Sequence, residues 1–281
     1  MNPTATVLRA GFTCGLIELR QSFTGAALFG QLLWPVVTLV AIFSLRDRSF
    51  GASGFTLGTL VLPGVLGMFV ALGMLLVVQY LSADREDGTL LRAKATPNGI
   101  RGYLIGKLIT VSGTILAYLT ILLIPGLIIV GGLDIGSIRS WLTLGWVLFL
   151  GLMATLPIGA VLGSLISSPR HAGYISIPIM GLIAISGIFY PITALPQWLQ
   201  CIAQSFPMYC LGLGMRSALL PASAVSVEIG QSWRHLETIG VLGVWAVLGL
   251  VLAPIVLARM ARRESGSNVA ERREKALQRV L

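Results

Sequence analysis

The chain carries few side chains suited to chemistry, and their placement argues against most of it. Its two histidines, His171 and His235, and its three cysteines, Cys14, Cys201 and Cys210, are scattered and lack the spacing of a metal site or a disulfide framework. Cys201 and Cys210 fall on one side of the topology read below, so a disulfide is one option; two small buried apolar residues is the preferred reading. Gly106 and Lys107 mimic the end of a phosphate-binding loop. The upstream glycine position is Arg101, however, and Leu108 stands where a Ser or Thr would hold magnesium. No catalytic residue, metal ligand or bound cofactor is therefore assigned to this chain.

The charges tell the same story from another direction. Across six long apolar runs the only ionisable side chain is Lys107, close to one end, where its amine is expected to reach the interface. An ion-coupled secondary transporter keeps carboxylates, histidines or arginines inside the membrane to carry the coupling. A membrane-embedded lipid-modifying enzyme needs a base, nucleophile or metal at an interface. Both stand as alternative readings, and neither finds its residues here. Work done by this chain must draw energy from a partner.

The elements that position these residues follow from composition. Of 281 residues 55% are hydrophobic and only 11% charged, and the mean hydropathy is +0.86. A water-soluble domain holds about a quarter charged residues, so lipid is the solvent. The reading is an all-α integral membrane protein of six transmembrane helices, at 26–45, 58–81, 103–130, 141–166, 173–190 and 238–258. They form one membrane domain over 1–258, followed by a charged tail at 259–281, with no room for a large soluble enzyme domain. Residues 5–24 set Arg9, Glu18 and Arg20 among Val7, Leu8, Phe12, Leu16 and Ile17, the pattern of an amphipathic interfacial helix. Pro35, Pro63, Pro125, Pro157, Pro178 and Pro254 lie in or near the runs, and Gly159 and Gly163 have the spacing for close helix packing.

With the N-terminus inside, fifteen of the 20 Lys and Arg fall on the inner side and five on the outer. Both termini are thus expected in the cytoplasm and the chain in the cytoplasmic membrane. The formal charge of +9 sets orientation and attracts lipid headgroups; it does not indicate nucleic acid. No cleavable signal peptide is expected, since the start lacks a basic stretch followed by an apolar core and cleavage site.

Two polar segments interrupt this plan. The inner one, 82–97, reads as a short helix capped by Ser82 or Asp84, with Leu90 and Leu91 as an apolar knob and a Thr-Pro stop. The outer one follows the fifth run. There Leu195, Trp198, Leu199, Ile202, Ala203 and Phe206 recur at helical spacing, and Pro191, Pro196 and Pro207 divide the stretch. This predicts an outer re-entrant helix pair within 191–220, with a surface helix as the alternative.

Taken together, Asp84, Arg85, Glu86, Gly88, Thr89, Leu90, Thr96 and Pro97, then Gly187-Ile-Phe-Tyr-Pro191, Leu195-Pro196, Trp198-Leu199, Phe206-Pro207 and Arg216, closely resemble the ABC type-2 permease family. These are membrane subunits of ATP-binding-cassette exporters. Asp84 stands where Glu is common, and Phe206 departs from a frequent Asn. The resemblance covers nearly the whole chain. It implies that Asp84, Arg85, Glu86, Gly88, Thr89, Leu90, Leu91, Arg92, Thr96 and Pro97 couple to a separate cytoplasmic ATPase subunit, two of which serve the assembly and carry the ATP and magnesium. It implies that Pro191, Leu195, Pro196, Trp198, Leu199, Ile202, Phe206 and Pro207 form an extracellular gate, and that a second permease, a copy or a paralogue, completes the path. The apolar character of that path suits an amphipathic or hydrophobic cargo such as a drug, antibiotic or lipid-like molecule. Gln31, Trp34, Met68, Phe69, Met74 and Gln79 are candidates to face it.

Overall fold

Lipid offers the backbone no hydrogen-bond partners, so apolar runs must satisfy themselves as helix. The computed structural model describes residues 3–48, 56–96, 98–166, 169–190 and 192–263, and among them there is no strand. The helices are α1 (Pro3–Ser22), α2 (Ala27–Leu45), α3 (Leu57–Glu86), α4 (Thr89–Lys94), α5 (Gly99–Ile129), α6 (Ile138–Leu165), α7 (Pro169–Ile185), α8 (Gln197–Ser205), α9 (Pro207–Leu219) and α10 (His235–Arg263), with short 3₁₀ turns in the α7–α8 and α9–α10 connections. Thr56 caps α3 by accepting from the Thr59 amide at 3.4 Å. Ser137 caps α6 by accepting from the Ser140 amide at 3.2 Å. The six prolines picked out from the sequence all sit inside helices, one each in α2, α3, α5, α6, α7 and α10.

Among the described residues five helices, α2, α3, α5, α6 and α10, are long and apolar enough to cross a membrane. The remaining one of the six expected crossings, at 173–190, corresponds to the shorter helix α7. Its 17 residues reach about 25 Å, short of a hydrocarbon core of roughly 30 Å. The apolar run from 173 to 190 does not stay helical to its end, because the chain turns at Gly187 with φ +66°, a conformation that a Cβ disfavours.

Helix α3 is the hub. Its most apolar stretch is 78% buried, against 11% for α2. Helix α6 packs on α3 backbone to backbone through the predicted small-residue pair. A methyl group on Gly159 would lie 2.5 Å from the Met74 carbonyl oxygen, and one on Gly163 3.1 Å from Val78 Cα. Helix α10 lies against α6, with Gly249 close to Pro157. Helix α1 turns small residues inward and apolar ones outward. Gly11 and Gly15 approach the Gly102 and Gly106 carbonyls of α5, whereas Leu8, Phe12, Leu16 and Ile17 are exposed, as suits a helix resting at a lipid interface.

The last buried element is α9, whose residues are buried from Pro207 to Leu219 except for Ser217. Leu211 lies against Gly67 of α3 and Gly151 of α6, about 15 and 20 Å along those helices from their starts. The far end of α9 returns to the α5–α6 loop, where Leu219 O accepts from the Asp134 amide at 2.9 Å. The α8–α9 corner is equally deep. The Ser205 carbonyl accepts from Trp245 Nε1 at 2.8 Å, about 15 Å into α10.

Candidate functional site

At the end of the bundle that holds residues 82–96, the residues chosen from the sequence divide by direction. Ser82 and Asp84 do not start a helix; they lie in the last turns of α3, which runs on to Glu86. The break falls at Asp87 and Gly88, where φ of +79° calls for glycine, and Asp87 takes the capping part by accepting from the Thr89 amide at 2.8 Å. Leu90 points back into the chain's own core at 2% exposure, Leu91 is half-buried, and Arg92 is exposed. Helix α4 is therefore rooted by Leu90 while its other side faces out. Arg92 Nη2 donates to Thr89 Oγ1 at 2.8 Å, and Lys94 Nζ donates to the Arg262 carbonyl of α10 at 3.4 Å. Thr96 Oγ1 bonds the Ala93 carbonyl at 2.9 Å; Pro97 lies outside the described residues. Arg85 is buried and donates to the Ile166 carbonyl at the end of α6, and Glu86 is half-buried. The short helix is thus tied to the ends of three long ones, α3, α5 and α10.

Beside it lies a centre that sequence reasoning missed. Lys107 is 3% exposed. Its Nζ pairs with Glu18 of α1 and, at 2.8 Å, with Asp84 Oδ2 of α3. Tyr103 Oη donates to Asp84 Oδ2 at 2.5 Å, and Thr110 Oγ1 donates to Glu18 Oε2 at 3.1 Å. The ammonium also stands 4.9 Å from the Tyr80 ring centroid, a cation–π distance. A cavity of about 740 Å³ opens beside it, walled by α1, α4 and the start of α5. The three charged residues are up to 89 positions apart, so no local pattern announces them.

At the other end the residues expected to form a gate lie in and around α8 and the start of α9. Pro196 precedes α8 and Pro207 begins α9, where its fixed φ suits a first helical position. Leu195 and Leu199 are half-buried, while Trp198 and Ile202 face outward. Phe206 stacks on Trp245 at 5.5 Å; Pro191 lies outside the described residues. Cys201 is exposed, contrary to the buried reading, whereas Cys210 is buried, and both are free thiols. The strongest contact here is again an unforeseen ion pair. Arg216 of α9 and Glu228 are both buried and meet through Nε and Oε1 at 2.6 Å. Arg216 Nη1 also donates to the Gly187 and Ile188 carbonyls at 3.1 Å each, so one guanidinium holds the turn after α7 and the loop after α9. A lone arginine inside the apolar stretch 207–219 was the available signal.

The six path candidates are not on one surface. Trp34 is 69% exposed and Gln79 is exposed, whereas Met68 is half-buried. Phe69 and Met74 are buried, Met74 beneath Gly159 and Phe69 edge-on to Tyr118 at 5.7 Å. Gln31 accepts from Tyr118 and donates through Nε2 to Tyr80 Oη at 3.4 Å.

Among the described residues no three His, Cys, Asp or Glu gather as a metal site. Five long apolar helices packed around the buried α9, with a short braced helix at one end, define a multi-pass membrane protein. Residues 31–255 match the family model for ABC-2 family transporter proteins, and since that is most of the chain, the protein belongs to the ABC-2 transporter family. It is a membrane permease component of an ABC-2 type transporter, in a family whose transmembrane subunits are typically non-catalytic and work with a separate ATPase subunit that binds ATP. No curated protein matches the chain.

Proposed function

We propose that this chain is the permease of an ATP-driven exporter in the cytoplasmic membrane, with both termini in the cytoplasm and α7 completing six crossings. Two cytoplasmic ATPase subunits would dock on Asp84–Arg92 and Thr96–Pro97, and a second permease would enclose the path. The observation that carries this reading is α4: a six-residue helix with Leu90 sunk in the core and Arg92 turned out, braced by the ends of α3, α5 and α10. A helix so rooted transmits a push on its outer side into the long helices instead of absorbing it.

Nucleotide-driven closure of the ATPases would tilt those helices and shift α9, which is wedged between α3 and α6, opening the segment from Pro191 to Pro207. The cargo is amphipathic or hydrophobic, and Trp34 and Gln79, both exposed, are the path candidates placed to meet it. Lys107 and Arg216 are each closed into local ion pairs, as suits a chain driven by an external energy source. Pull-down of tagged permease with the ABC ATPase of its host tests the reading. Arg92→Glu should weaken recovery of the ATPase about tenfold, equivalent to ~1.4 kcal/mol, without reducing the yield of folded permease. Undiminished recovery with Arg92→Glu would remove the docking role of α4.

A further inference from the structure

We infer that Lys107 is a positioning residue of the power stroke: its ammonium carries displacement of α4 sideways into α1, using Asp84 as the input arm and Glu18 as the output arm. This rests on the ATPase-coupled reading above. Asp84 lies in the last turn of α3, four residues before Gly88 and the start of α4. A rotation of α4 therefore reaches that carboxylate through the last turn of α3. Lys107 Nζ is 2.8 Å from it and pairs on its other side with Glu18, so one small cation bridges α3, α5 and α1. Below it the ring of Tyr80 at 4.9 Å continues the contact to Gln31 of α2.

A buried ammonium has three protons to satisfy, and two carboxylates repay its desolvation better than one. The second, on a different helix, adds a connection between elements. Helix α1 does not depend on it for attachment, because Gly11 and Gly15 already seat against α5 and Thr110 Oγ1 donates to the Gly15 carbonyl at 3.1 Å. The cavity of about 740 Å³ next to the triad leaves α1 and α4 room to change their separation.

Cys14 provides a native reporter. It is exposed on α1, one turn before Glu18, and lines the same cavity. The experiment uses the full permease with its ATPase subunits in nanodiscs, with Cys201→Ala to remove the other exposed thiol. The rate of Cys14 labelling by a polar maleimide is measured without nucleotide and with a non-hydrolysable ATP analogue plus magnesium. The parent should change rate about fivefold or more between the two states, the lower range of a coupled transition. Glu18→Gln, which leaves the Lys107–Asp84 pair intact, should keep the nucleotide-free rate and reduce the nucleotide response to less than about twofold. Glu18→Asp and Lys107→Arg should retain most of it.

A full response in Glu18→Gln overturns the inference. So does a parent that shows no response, or a Glu18→Gln variant whose labelling rises equally in both states, since that pattern marks a mere anchor. Failure of the parent to hold any ATPase is a different result; it removes the exporter reading itself.

Discussion

Lys107 and Arg216 show how far a single charge can be taken from water when its partners are in place. Each is buried and each meets carboxylate at hydrogen-bonding distance, Lys107 to Asp84 at 2.8 Å and Arg216 to Glu228 at 2.6 Å. Breaking a buried pair by removing one partner leaves the other charge uncompensated, a loss of about 3–5 kcal/mol. Lys107→Met should therefore lower the thermal transition of the purified protein markedly, whereas Lys107→Arg should leave it near the parent, as read by fluorescence-detected size-exclusion after heating. Arg216→Met should be at least as damaging, because it also removes donors from the Gly187 and Ile188 carbonyls. If Arg216→Met with Glu228→Leu recovers most of the loss, the damage in the single variant lay in the orphaned carboxylate. If it recovers nothing, the backbone contacts matter more.

At the scale of elements, the bundle is set by how closely helices approach. Gly159 brings α6 onto the backbone of α3, and an added methyl would meet the Met74 carbonyl oxygen at 2.5 Å. A backbone atom cannot swing aside as a side chain does, so Gly159→Ala should cost about 1–3 kcal/mol by overpacking. Gly240, where nothing lies near an added methyl, should tolerate alanine without loss in the same thermal assay. Helix α9 makes the opposite point. Its residues carry no obvious membrane signature, yet α3 and α6 close around it, and its depth follows from Leu211 meeting Gly67 and Gly151. Helix α8 keeps Trp198 and Ile202 on the outside, leaving an apolar edge beside the proposed gate.

For the whole molecule, the placement of positive charge and the positions of the loops make one topological forecast. Cysteines introduced at Asn98 and Ser137, both exposed in the structure, should label from opposite faces of the membrane in a Cys14→Ala, Cys201→Ala background. Asn98→Cys should react only after the membrane is permeabilised, and Ser137→Cys in intact cells. The reverse pattern would invert the assignment of α4 to the cytoplasm and of α9 to the outer side.

Composition and periodicity alone were enough to show a helical membrane protein, because an apolar run with almost no charge has only one stable backbone solution in lipid. They also marked the segments around Gly88 and Pro196 as breaks, since Gly, Pro and clustered charge end such runs. What the chain order could not reveal is anything that depends on residues distant in sequence. Glu18, Asp84 and Lys107 become one site only when α1, α3 and α5 are packed, and Arg216 finds Glu228 and the Gly187 turn only when α9 is enclosed. The same holds for direction: Leu90 reads as a projecting knob in the sequence, and the fold turns it inward. Hydrophobicity is a property of the local chain, whereas ion pairing and burial belong to the assembled bundle, and only tertiary structure decides them.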